Sequence, residues 1–154
     1  MLSALRLTLV AVAITTAAAS CPSSEWKQFR DKCFWMSSAS LHWQDVPYVC
    51  STVYPNATMA SIRDTEENTF IAEEVAVRPD GTQTWTWIGL SRANSTAPWT
   101  WTDGSPYNFS MWYQNDPEYH GGNCAQTNVY EWSMWASYSC SDPRAHFICQ
   151  IPSF

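Results

Sequence analysis

The sequence predicts an α+β domain held by disulfides, and three observations carry that expectation. Two segments with helix-start signals stand apart from several short, Trp-rich strand patterns. The stretch Trp85-Thr86-Trp87-Ile88-Gly89-Leu90 runs unbroken through aromatic, β-branched and aliphatic residues, which suits a strand buried on both faces. Six cysteines occur in 154 residues, an even number with no C-x-x-C spacing, which favours disulfides over a zinc site or redox motif.

Each element has its own local reason. Residues 1–20 read as a secretory signal peptide. Met1 to Arg6 carries one positive charge, Leu7 to Ile14 is apolar, and Ala17-Ala18-Ala19-Ser20 offers small residues for cleavage. That run is too short to span a membrane, and no later apolar run reaches spanning length. Cys21 to Trp35 alternates polar and aromatic residues (Trp26, Phe29, Phe34, Trp35), the pattern of a hairpin. Ser40 is the expected cap of a helix reaching Val53, with Leu41, Val46, Val49, Cys50 and Val53 near one face and Pro47 confined to its first turns. A second helix follows Met59-Ala60-Ser61-Ile62. Asp64 and Glu67 make its capping-box pattern, and Phe70, Ile71 and Val75 supply its buried stripe.

Arg78-Pro79-Asp80-Gly81 ends that helix in a turn, and the central strand follows. Gly89 inside that strand marks a close backbone approach or a bend. Trp99-Thr100-Trp101-Thr102 alternates as a half-buried strand and stops at the turn signal Asp103-Gly104-Ser105-Pro106. Residues 105–123 form a long polar stretch, and a loop of that length in a compact domain is usually functional. Short strands resume near 124–128, 133–137 and 145–150.

Loss of residues 1–20 leaves a domain at 21–154, and loss of Arg6 moves the formal charge from −6 to −7. An acidic chain without a Lys/Arg cluster does not suit nucleic acid or an anionic membrane. Asn56-Ala57-Thr58, Asn94-Ser95-Thr96 and Asn108-Phe109-Ser110 are glycosylation sequons, each expected to put its asparagine on the surface. His42, His120 and His146 are scattered, and a lone histidine is more often structural than a ligand. No G-x-S-x-G, H-E-x-x-H or P-loop is present, so the chain reads as a binding protein and not an enzyme.

The ordered residues Trp43-x-x-Val46-x-x-x-Cys50, Met59-Ala60-Ser61-Ile62, Trp87-Ile88-Gly89-Leu90, Trp99-x-Trp101-x-Asp103-Gly104, Trp112, Trp135-x-x-x-x-Cys140 and Phe147-Ile148-Cys149-Gln150 resemble the C-type lectin-like domain family. The resemblance covers the whole mature length. It implies two helices on short antiparallel strands, paired termini and a long loop carrying the ligand site. It also implies the disulfides Cys21–Cys33, Cys50–Cys149 and Cys124–Cys140, and a core formed by Trp26, Trp43, Trp87, Trp101, Trp112 and Trp135. Sugar-binding members hold calcium through a Glu-Pro-Asn or Gln-Pro-Asp triplet with a cis proline, an acidic residue two before the next cysteine, and an Asn-Asp pair after the late tryptophan.

This chain departs from that set. The triplet reads Asp116-Pro117-Glu118, the acidic position is Gly122 beside Asn123, and the pair after Trp135 is Ala136-Ser137. Calcium takes six to eight oxygens, which Asp116, Glu118, Asn123 and Ser137 do not readily supply, so an ion at Asp116 and Glu118 is expected to bind weakly or not at all. The bland reading of both carboxylates is a solvated acidic loop. Asp116, Glu118, Tyr119, Asn123 and Trp132 are the candidate ligand-binding residues. Trp85, Tyr113 and Tyr130 are further aromatics outside the core set, of the kind that sugars and proteins both favour. The functional expectation is a secreted carbohydrate-binding domain with a degenerate calcium site, and the alternative is a calcium-independent protein-binding module. The sequence sets no oligomeric state.

Overall fold

The computed structural model describes residues 20–128 and 133–154. The leader reading falls almost wholly outside those residues, as do Tyr130 and Trp132. The chain opens as the expected hairpin of β1 (Lys27–Phe29) and β2 (Lys32–Met36). A 3-10 turn (Trp43–Asp45) then leads into α1 (Val46–Val53). After β3 (Thr58–Met59) comes α2 (Thr65–Phe70), continued by a π-helical turn (Ile71–Val75). Next are β4 (Thr86–Ser91), β5 (Thr100–Trp101), β6 (Cys124–Thr127), β7 (Trp135–Tyr138) and β8 (His146–Pro152). The strands pair in the order β1-β2-β8-β4-β6-β7, with β3 added to β8 and β5 to β4. β4 and β8 run parallel, Thr86 opposite His146, while the other strand pairs are antiparallel.

β8 lies between the first hairpin and β4, so the termini meet: Ser20 N donates to Phe154 O at 2.7 Å. The disulfides are Cys21–Cys33, Cys50–Cys149 and Cys124–Cys140. Cys50–Cys149 ties α1 to β8 across a separation of 99 residues. Closing a loop of that length is worth on the order of 4–5 kcal/mol in the chain-entropy account.

β4 partitions the core. Thr86 to Leu90 are all buried. Trp87 packs with Trp26, Val46 and Phe147, whereas Ile88 and Leu90 pack with Ile62, Ile71 and Trp135. A side chain at Gly89 would stand 2.6 Å from Thr102 Oγ1 and 2.9 Å from Met59 Cβ, so the glycine serves the close approach of β3 and the β5 turn. The indole N–H of Trp87 donates to Leu41 O, and that of Trp43 to Ile88 O, which fastens the segment before α1 to the strand. Trp26, Trp87, Trp101 and Trp135 are buried, and Trp43 and Trp112 are half-buried against the same clusters.

Two helix starts differ in outcome. Ser40 does not cap α1, because Leu41 exchanges backbone hydrogen bonds with Ala145 and keeps that segment extended. The helix begins later, and Pro47 sits in its first turn, where a missing N–H leaves no hydrogen bond broken. At α2 the expected cap forms: Asp64 Oδ1 accepts from Glu67 N at 2.9 Å. The Glu67 carboxylate is fully buried and accepts from Arg63 N at 2.7 Å, one residue before the cap, rather than from the cap residue itself.

Candidate functional site

The loop between β5 and β6 is built on aromatic contacts before it presents any polar group. Trp99 and Trp112 lie 4.8 Å apart, Trp112 meets the Trp135 ring edge-on, and its indole N–H donates to Tyr107 Oη. The backbones of Met111, Tyr113 and Trp135 exchange hydrogen bonds, so the loop is stitched to β7 at Trp112. Beyond that anchor the chain turns through Asn115 and Asp116, and the Asp116–Pro117 bond is cis.

The candidate ligands come together in space but not around one point. The Asp116 side chain is completely buried, and both its oxygens lie 2.9 Å from His120 Nδ1. That nitrogen therefore carries the hydrogen. Ser137 N approaches Asp116 Oδ1 at 3.4 Å, and Ser137 Oγ donates to Pro117 O at 2.8 Å while accepting from Gly122 N at 3.1 Å. Asp116, His120, Ser137 and Gly122 thus form one closed network, and the bland reading of Asp116 as a solvated carboxylate is corrected.

Glu118 and Asn123 belong to a second network centred on Arg92, whose side chain is only 4% exposed. Its Nε donates to Asn123 Oδ1 at 3.1 Å, Nη2 to Gly122 O at 3.1 Å, and Nη1 to Ser95 O at 3.2 Å and Glu118 Oε1 at 3.4 Å. The guanidinium also lies 4.9 Å from the centre of the Trp99 ring. A planar five-donor cation with acceptors around its edge and an aromatic face against its plane is well satisfied at low exposure.

These residues do not fit a calcium ion. Asp116 and Ser137 are saturated by each other, His120 and the loop backbone, and Glu118 and Asn123 face a resident cation instead of an open centre. Gly122 adds a steric reason: a Cβ there would stand 2.1 Å from the Tyr138 carbonyl carbon. The backbone has closed on β7 where an acidic ligand would have to project. Among the described residues no group of three or more His, Cys, Asp or Glu is placed to hold a metal.

The loop does offer a cleft. Tyr113, Gln114, Asn115, Asp116, Tyr119 and His120 border about 250 Å³, and Tyr119 stands over it with 76% of its surface exposed. The Tyr119 ring meets His120 edge-on at 4.8 Å, and His120 in turn lies 5.0 Å from Tyr138. Of the sequence candidates, Asp116 and Tyr119 border this cleft, Glu118 and Asn123 lie beside it at Arg92, and Trp132 is outside the described residues. His120 and Arg92 were not singled out from the sequence. The available signal for Arg92 was a cation immediately after an almost wholly apolar strand pattern, in a chain whose usual cage positions had changed.

Against known proteins, the family profile described as "Lectin C-type domain" matches residues 39–151. Lectin BRA-3 of Megabalanus rosa is 30% identical over 152 residues, covering 97% of this chain and 90% of that one. The galactose-specific lectin nattectin of Thalassophryne nattereri is 30% identical over 135 residues, covering 86% and 81%. The crystal structure of a calcium-independent type II antifreeze protein superimposes with a TM-score of 0.76 at 24% identity, covering 90% of this chain and 98% of that one. With its α+β architecture, three disulfides and matched core tryptophans, the chain belongs to the C-type lectin domain family.

Proposed function

We propose that this protein is a secreted glycan-recognition domain that engages sugar through the loop between β5 and β6 without calcium. Membership of a lectin family supports the ligand class, and the Tyr113–Tyr119 cleft supplies aromatic surface beside amide and imidazole groups. The arrangement around Arg92 supports the calcium-free part, since the oxygens that a cation would bridge already surround a fixed guanidinium. Full pairing of the cysteines and exposure of Asn56, Asn94 and Asn108 support secretion and glycosylation after removal of residues 1–20. No described helix is long and apolar enough to cross a membrane. The role is binding, not catalysis.

A glycan array probed once with calcium and once with chelator tests this reading. The same glycans should be bound in both, and Tyr119→Ala should weaken binding roughly tenfold at unchanged melting temperature, the worth of one aromatic contact. Binding that vanishes in chelator would overturn it. The second reading is a calcium-independent protein-binding module on the same surface, favoured by the protruding Tyr119 ring. An array without glycan hits, together with a protein ligand lost in Tyr119→Ala, would select that reading.

A further inference from the structure

A second cleft lies at the opposite end of β4 from Arg92, where the chain enters that strand and the neighbouring β8 begins. It encloses about 470 Å³, within the range of small-ligand sites. Arg78 and Arg144 both line it, and no Asp or Glu does. On a chain with a formal charge of −6 this is a local reversal of sign. Elsewhere Arg30, Lys32, Arg63 and Arg92 each have a carboxylate partner. Among the described residues Arg78 and Arg144 form no ion pair, although the Asp80 carboxylate feels the charge of Arg78: Arg78 Nη2 donates to Thr84 Oγ1 at 3.2 Å and Arg144 Nε to His42 Nε2 at 3.2 Å. Most of their donors remain available to a ligand.

The wall of the cleft carries an independent sign of a missing partner. Gln126 is fully buried on β6, opposite Trp87 of β4 and Ala136 of β7. Neither its amide oxygen nor its amide nitrogen has a hydrogen-bond partner among the described residues. An unpaired buried amide is unfavourable by about 1–3 kcal/mol, and an apolar side chain would fill the same place without that loss. Trp85, 46% exposed and stacked on Tyr138, adds aromatic surface at the rim.

We propose that this cleft binds an anionic sugar, a monosaccharide unit bearing one carboxylate or one sulfate. The acid group pairs with Arg78 and Arg144, which present forked donors suited to planar and tetrahedral oxyanions. A ring hydroxyl both donates and accepts, which matches the two unsatisfied atoms of Gln126, and the ring's apolar edge meets Trp85. The site is separate from the long-loop cleft, and neither depends on the other.

The test is amide and indole NMR of the full mature protein titrated with glucuronic acid, galactose 6-sulfate, neutral galactose, inorganic sulfate and a tetraglutamate peptide. One or both acidic sugars should shift the Gln126 side-chain amide and Trp85 indole signals, which also decides between carboxylate and sulfate. The double variant Arg78→Gln, Arg144→Gln, both exposed positions, should bind that sugar at least tenfold more weakly with an otherwise unchanged spectrum, and added salt should weaken wild-type binding. No shift with either acidic sugar, equal affinity for neutral galactose, or equal affinity for inorganic sulfate would overturn the proposal. Tighter binding of the peptide would overturn it in favour of an acidic protein partner. Shifts confined to Tyr113, Tyr119 and His120 would assign the sugar to the long-loop cleft instead.

Discussion

The two ends of β4 carry arginines in opposite circumstances. At the C-terminal end, Arg92 is buried, and Asn123, Gly122, Ser95 and Glu118 accept its hydrogens while Trp99 covers one face. At the N-terminal end, Arg78 and Arg144 are exposed, form no ion pair among the described residues, and line the same cleft as an amide with no partner. The first end is complete within the protein, and the second has unmet donors and acceptors. An arginine stabilises the fold or awaits a ligand according to how many acceptors the fold already gives it.

The largest expected effect is at the complete end. Arg92→Met should lower stability by about 2–4 kcal/mol in urea unfolding, because the buried Gly122 carbonyl and the half-buried Asn123 amide lose a charged donor together with its packing on Trp99. Millimolar calcium should not restore it. A loss below about 1 kcal/mol would mean the acceptors are reached by water, and recovery with calcium would mean the oxygens can regroup around an ion.

Gly122→Ala should cost about 1–3 kcal/mol in the same measurement, since its Cβ would collide with the Tyr138 backbone. Gly122→Glu, which restores an acidic residue at this position, should be at least as harmful and show no calcium-dependent rise in Tm. Such a rise would revise the closed geometry. Asp116→Asn should lose about 1–2 kcal/mol by weakening the charge-assisted bond to His120. A solvated loop carboxylate would predict no change, so thermal melts of this variant separate the two descriptions.

The smallest effects belong to the other end, and one has the opposite sign. Gln126→Leu should be neutral or up to about 1 kcal/mol more stable, since it removes an unpaired amide at similar volume. Arg78→Gln and Arg144→Gln should each stay within about 0.5 kcal/mol of wild type. A clear destabilisation in Gln126→Leu would show that the amide is already satisfied and that the contrast between the two ends is weaker than drawn.

Much of the architecture was legible in local patterns. The apolar run formed a buried strand from Thr86 to Leu90, with Trp85 left exposed before it. Asp64 capped α2, while the Glu67 carboxylate took Arg63 N instead of the cap residue. The chain turned after Trp101, with Asp103 accepting from Ser105 N. The Ser40 cap failed because a long-range competitor, the pairing of Leu41 with Ala145, took the backbone first. The resemblance located the loop residues Asp116, Glu118 and Asn123 and anticipated the three disulfides. It did not reveal that Asp116 and Asn123 turn to two different partners, His120 and Arg92, while Glu118 stays exposed at the edge of the Arg92 site.

By itself, the sequence determined the order of helices and strands and the extent of the long loop, because periodicity and turn chemistry are local properties of the chain, and the family resemblance added the tryptophan core. Only the tertiary structure decided which charges are satisfied. Arg92 and Glu118 are 26 residues apart, Asp116 and Ser137 are 21 apart, and Arg78 and Gln126 come from distant parts of the chain to line one cleft. Whether a polar group is spent or available depends on the neighbours that packing brings within about 3 Å, and that distance is not written in the spacing of residues along the chain.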